Sequence, residues 1–183
     1  MAARHLESLF DEQQLPNGYM LVDGVAMHAE HGERFQIPPD VLKRYIVTGD
    51  FIELRIDSPR FSMHDDDAAQ CSCPSCNGPW TKPILQHEHP ATLRPVPRQD
   101  IPSRGWGEDF WVRITRHEEA YFEGVIDNDL YESRLHGLDR GDTIVFRPSH
   151  VLHIHDSQRL EYVRRMDTAS LKELAAWIRN QSP

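Results

Sequence analysis

Three cysteines, Cys71, Cys73 and Cys76, fall within six residues of one another, and the chain contains no others. They sit in the run Gln70-Cys71-Ser72-Cys73-Pro74-Ser75-Cys76-Asn77-Gly78, and His87 and His89 follow shortly after. Thiolates and imidazoles grouped this closely are the ligand chemistry of a tetrahedral zinc ion. Cys73 and Cys76, at C-x2-C spacing, can wrap one ion, and Gly78 lets the backbone amides turn toward the sulfurs. Cys71 then supplies a third thiolate and His87 or His89 the fourth ligand. A Cys73/Cys76/His87/His89 set is the alternative. Three soft sulfurs favour zinc over magnesium or calcium. The expectation is a structural zinc with ligands drawn from Cys71, Cys73, Cys76, His87 and His89.

Other chemistries fit this run less well. A Cys-Pro-Ser-Cys redox pair needs its first cysteine at a helix start in a βαβ setting, which this proline-rich stretch does not offer. Three free thiols in a loop would be open to oxidation. A catalytic zinc would take Glu88, between His87 and His89, as its base. The order is wrong for that: P-S-C precedes H-E-H, the reverse of the zinc deaminases, and no helical H-E-x-x-H is present.

His150, His153 and His155 form a second group beside Asp156. In an extended strand Val151, His153 and His155 share one side, and Leu152 and Ile154 share the other. The histidine side reads as the wetter face of a strand, with a surface metal site as the competing reading. Asp65-Asp66-Asp67 lacks the spaced oxygens and glycine of a calcium loop and reads as a solvated acidic turn. Trp80, Trp106 and Trp111 read as core or loop anchors. No Gly-rich phosphate loop and no G-x-S-x-G elbow occurs.

The bulk numbers narrow the partners. The chain has 183 residues, 39% of them hydrophobic, which suits a single domain over 1–183. Its formal net charge of −9 disfavours phosphate backbones and suits a basic protein partner. No apolar run has the length to span a membrane, and residues 1–7 lack a secretory stretch. Three clustered cysteines cannot all pair within one chain, which suits a reducing cytoplasm.

Apolar spacing supplies the elements that must position these groups. Leu6, Leu9 and Phe10 predict a short helix within 3–13. The segment 19–28 reads as two strands around an Asp23-Gly24 turn. Pro38-Pro39-Asp40 opens a helical turn through 41–45. Ile52, Leu54 and Ile56 alternate with Glu53, Arg55 and Asp57, which predicts a strand with one buried face. Seven of the thirteen prolines lie in 74–102, so 58–105 reads as an irregular insertion that needs a clip, and the cysteines lie inside it. Strands are then predicted at 110–116, 120–126, 143–146 and 151–155. Ser170 and Glu173 form a capping-box pattern opening a last helix, with Leu171, Leu174 and Ile178 as its apolar stripe and Trp177 at the edge. Gly49-Asp50 before one strand and Gly141-Asp142 before another read as a recurrent turn rather than an internal repeat.

Residues 110–155 carry Phe110-Trp111-Val112-Arg113-Ile114, Phe122-Glu123-Gly124-Val125-Ile126-Asp127-Asn128 and Gly141-Asp142-Thr143-Ile144-Val145-Phe146. This succession resembles a bacterial β domain family of unknown function, with an aromatic-V-x-V strand, an F-x-G-x-I-x-N turn and a G-D-x-V-x-F strand. The resemblance covers about a quarter of the chain and implies a fold, not an activity. Where members continue with an acidic residue and Trp, this chain has His153-Ile154-His155.

The sequence thus predicts a mainly β (α+β) fold. Its sheet is a small curled antiparallel one or an SH3-like barrel, with short N- and C-terminal helices and a zinc-clipped loop. The function expected is a zinc-stabilised, non-enzymatic binding module, of immunity or regulatory type. The alternative is a metal-dependent enzyme using the Cys/His loop or the His150/His153/His155 group.

Overall fold

A computed structural model of the protein describes residues 4–58, 69–71, 78–80 and 106–181. Among them a six-stranded antiparallel sheet curls into a half-barrel, and helices pack against its apolar face. The architecture is mixed α+β.

Helix α1 (Leu6–Glu12) is followed by a two-residue strand β1 (Met20–Leu21), α2 (Gly24–His31) and the single turn α3 (Asp40–Lys43). The long strand β2 (Phe51–Ser58) comes next, and a short ladder pairs β3 (Ala69–Cys71) with β4 (Gly78–Trp80). The rest of the chain runs β5 (Trp106–Glu118), β6 (Tyr121–Ile126), α4 (Ser133–His136), β7 (Thr143–Phe146), β8 (His153–Ile154), α5 (Asp156–Arg165) and α6 (Thr168–Gln181). The sheet order is β1-β2-β5-β6-β7, and β8 shares the outer edge of β2 with β1.

Alternation along the strands decides which side is core. Ile52, Leu54, Ile56, Phe110, Val112, Ile114 and Ile154 are buried together with Val41, Tyr162 and Leu174 from the helices. The sheet coils sharply at β5–β6. A register shift falls between Ile114 and Arg116, and Gly124 lies so close to β5 that an added Cβ would stand 2.3 Å from Val112 Cγ1 and 2.8 Å from the Arg113 carbonyl. A bulge of this kind bends a strand and increases its twist. The two Gly-Asp segments are one turn used twice. Gly49 and Gly141 adopt φ of +97° and +95°. Asp50 and Asp142 each accept from the backbone N–H three residues earlier, at 2.9 and 2.7 Å.

Two sequence expectations are corrected here. Residues 24–31 are helical, not the second arm of a hairpin. Asp23 acts as an N-cap, its Oδ1 accepting from Ala26 N–H at 3.0 Å, and Val22 and Met27 bury into a satellite cluster with Phe35 and Leu152. An apolar Asp-Gly segment can thus serve a helix start as well as a tight turn. The last helix begins earlier than the capping-box pattern suggested. Asp167 Oδ1 accepts from Ser170 N–H at 2.7 Å, while Glu173 pairs outward with Arg44 at 2.5 Å. Its buried stripe therefore runs through Ser170 and Leu174, with Trp177 packed against the core, and Leu171 and Ile178 face outward. The zinc clip expected of this fold falls on 58–105, and its ligands Cys73, Cys76, His87 and His89 lie outside the described residues.

Candidate functional site

The face of the sheet opposite the core carries the chemistry. On β2 it bears Glu53, Arg55 and Asp57, and on β5 it bears Asp109, Trp111 and Arg113, because opposite partners share a side. Arg55 is completely buried, yet its Nη1 donates to both oxygens of Asp109 at 2.7 and 2.8 Å. Its Nε and Nη2 make no hydrogen bond among the described residues. This ion pair anchors the middle of the face.

One row crosses three strands and continues just past the end of a fourth. His153 on β8 faces Glu53 on β2, and Glu53 faces Trp111 on β5. Beyond β6, Asp127 N–H donates to the Trp111 carbonyl at 2.9 Å, and Trp111 N–H donates to Asn128 Oδ1 at 2.7 Å. Since Val112 pairs with Ile126, Asp127 is opposite Trp111 and shares its side. Asn128 so extends the β5–β6 ladder with a side chain and fixes Asp127 beside the indole.

The indole reaches across β2 to both histidines. Trp111 meets His153 at 5.8 Å with an interplanar angle of 86°, and His155 at 5.4 Å and 72°. Near-perpendicular rings at this spacing are a favoured aromatic geometry. Burial is the main reason Glu53 is pushed above the usual carboxylate range, with the nearby Asp109 charge adding and Arg55 opposing. His153 is held below the ordinary imidazole value, chiefly by burial and then by the Arg159 charge, which lies 3.1 Å from its Nε2.

Above this row lies an open hollow of about 440 Å³ lined by Phe51, Trp111, Asp127, Asn128, His155 and Ser157. His155 N–H is bonded to the Phe51 carbonyl, and its Nδ1 accepts from Ser157 N–H at 3.4 Å, capping α5. Ser157 Oγ lies 2.8 Å from Nδ1. Asp127 is exposed and makes no side-chain hydrogen bond or ion pair among the described residues.

The histidines expected as a trio are divided. His150 is buried, its Nδ1 accepts from Arg147 N–H at 3.0 Å, and its ring stacks on Phe10 at 5.6 Å. Only His153 and His155 reach the sheet face. No group of three or more potential metal ligands is assembled among the described residues. For the cysteine cluster, only the backbone of Cys71 is described, and it pairs with Gly78. Glu88 and Asp65–Asp67 lie outside the described residues, as do the side chains of Cys71, Trp80 and Trp106. Sequence reasoning took Trp111 for a core or loop anchor and passed over Asp127. The signal was available, since Trp111 has the opposite parity to Phe110 and Val112.

A buried carboxylate at the other end of β5 is structural. Glu108 accepts from Tyr131 N–H at 2.5 Å and Glu132 N–H at 3.2 Å, with His136 Nε2 at 3.3 Å. His136 Nδ1 accepts from Leu138 N–H at 3.1 Å. The group is saturated by its own loop. A second hollow, of about 700 Å³, lies between the segment 36–41 and α6, with Trp177 on one wall and Glu33, Asp40 and Glu173 among its lining. Two of those carboxylates already face cations, Glu173 with Arg44 and Asp40 with Lys43.

No helix among the described residues is long and apolar enough to cross a membrane. A scan against protein-family models, a search of curated proteins and a search of solved structures each found no match.

Proposed function

We propose that this protein is a non-enzymatic binding module for a basic protein partner, with the hollow at Trp111 as its contact surface. The observation that carries the reading is the Asp127 carboxylate, without an ion pair among the described residues, held beside the Trp111 indole in an open hollow. Carboxylates and aromatic faces both attract cationic side chains, and the net charge of −9 draws a basic partner from a distance. His155 serves as a helix cap, His153 lies on Arg159, and His150 belongs to a 3-10 turn.

We further propose that zinc bound by Cys71, Cys73, Cys76 and His87 or His89 clips the 58–105 segment. The three cysteines support this, as does the β3–β4 ladder, which brackets residues 72–77 and so the stretch holding Cys73 and Cys76. A zinc here would brace the insertion and take no part in chemistry.

Calorimetric titration with a Gly-Arg-Gly-Lys repeat peptide tests the first proposal. Saturable binding is expected, weakening as salt rises, with loss of most affinity in Asp127→Lys. Equal binding by wild type and Asp127→Lys, or no binding, refutes it. Metal analysis of freshly purified, reduced protein tests the second. One zinc per chain is expected, lost together with thermal stability in a Cys73→Ser/Cys76→Ser variant. Metal-free protein contradicts it.

A further inference from the structure

We infer that the Trp111 hollow is a socket for one arginine side chain of the partner, taken up as a flat guanidinium stacked on the indole with one edge on Asp127. This rests on the binding reading above and specifies it.

The shape of the site selects the group. Trp111 and His155 stand at 72° to one another, 5.4 Å between centroids, with Phe51 beside them, so the hollow has aromatic walls in two orientations. A planar, weakly hydrated cation fits such a corner better than the compact, strongly hydrated ammonium of lysine. Guanidinium also offers N–H groups on several edges in fixed directions. Asp127 can accept two of them, and the Ser157 hydroxyl, which also lines the hollow, has oxygen lone pairs that can accept another. His155 contributes a wall of the hollow.

The surrounding charges leave this place open. Arg55 is committed to Asp109, and Arg159 lies on Asp156 at 3.2 Å and on His153. Among the described residues Arg113 is the remaining cation of the face, one row away opposite Phe51. Against it stand Asp127 and Glu53, both without a paired cation among the described residues. The positive N-terminal end of α5 is answered by Asp156 in its first turn. Asp127 and Trp111 stand opposite one another on hydrogen-bonded backbone, about 5 Å apart at their Cβ atoms. An arginine head stacked on the indole is thus within reach of the carboxylate without rearrangement.

The test uses three blocked single residues, Nα-acetyl-arginine, -lysine and -citrulline N-methylamides, titrated into the 15N-labelled protein. Citrulline keeps the planar shape and loses the charge. The expected result is saturable shifts of the Trp111 indole and Asp127 amide signals with arginine. Affinity for lysine should be at least about fivefold weaker, and citrulline should give no saturation. Asp127→Asn should weaken arginine about tenfold, with an otherwise unchanged spectrum showing that the fold persists. Ser157→Ala, which removes the second acceptor, should reduce the preference for arginine over lysine. Equal arginine and lysine affinity at these signals overturns the socket while leaving a basic-partner surface intact. Arginine binding no tighter than citrulline, or unaffected by Asp127→Asn, overturns the socket as well. If neither cation shifts these signals and the repeat peptide also fails to bind, both the socket and the wider reading fall.

Discussion

Replacing Asp109 with alanine should destabilise this protein far more than replacing Arg55 with methionine. Arg55 is fully buried, and its only hydrogen bonds among the described residues run from Nη1 to Asp109. Removing the carboxylate strands a charge whose Nε and Nη2 have no hydrogen-bond partner among the described residues. Breaking a buried pair from one side costs about 3–5 kcal/mol. Asp109 is 30% exposed and Glu53 and Asp57 lie on the same face, so the lower end applies, about 3 kcal/mol. For a chain of this size that is a fall in Tm of about 6–12 °C. Methionine at 55 instead removes the buried charge, keeps most of the packing volume and leaves Asp109 in contact with water. That should cost about 1 kcal/mol or less. The double variant should then resemble Arg55→Met alone, with a coupling of about 3 kcal/mol. Urea unfolding followed by circular dichroism and tryptophan fluorescence gives all four corners of the cycle. If Arg55→Met costs as much as Asp109→Ala, or if the two effects add, the desolvation argument is wrong.

Three further outcomes follow from the same geometry. Gly124→Ala should cost about 1–3 kcal/mol in urea unfolding, since its Cβ would meet Val112 and backbone of Arg113 at the point where the sheet coils; a neutral result would mean the strands can separate freely there. Tyr162→Phe should cost about 2 kcal/mol, because the buried hydroxyl donates to Asp50 Oδ2 at 2.5 Å, a bond to a charged acceptor; a loss below about half a kcal/mol would contradict it. Glu53→Gln should stabilise at neutral pH and not in acid. The folded-state value of Glu53 is raised, so native protein holds this proton more tightly than unfolded chain, and stability falls as pH rises from the ordinary glutamate value through the raised one. Glutamine escapes that loss, and a difference between the two proteins that does not vary with pH would refute the assignment.

Alternation at Ile52, Leu54 and Ile56, and again at Phe110, Val112 and Ile114, was enough to find the two central strands and their core side. It worked because a half-buried strand must alternate. The short helix 24–31 was hidden because Asp-Gly chemistry serves both a hairpin turn and an N-cap start, and only packing of Val22 and Met27 on Phe35 and Leu152 decides between them. The helix start at 168 was missed for a related reason: Asp167 and Ser170 are both competent caps, and their order in space is set by Tyr45, whose hydroxyl donates to Ser170 Oγ at 3.0 Å. The parity that puts His153 and His155 on one face was legible, whereas their meeting with Trp111 depends on β8 pairing with β2, a contact about a hundred residues apart in the chain. Arg55 shows the limit most clearly. In sequence it is one polar residue of an amphipathic strand, and in the structure it is completely buried.

The binding reading is tested most directly by mapping the Gly-Arg-Gly-Lys repeat peptide onto the full chain by amide and indole chemical shifts. The account predicts that the signals that move saturably belong to Phe51, Trp111, Asp127, Asn128, His155 and Ser157, and that they stay still in Asp127→Lys. Saturable shifts confined to other parts of the surface, with the Trp111 indole unmoved, would contradict it.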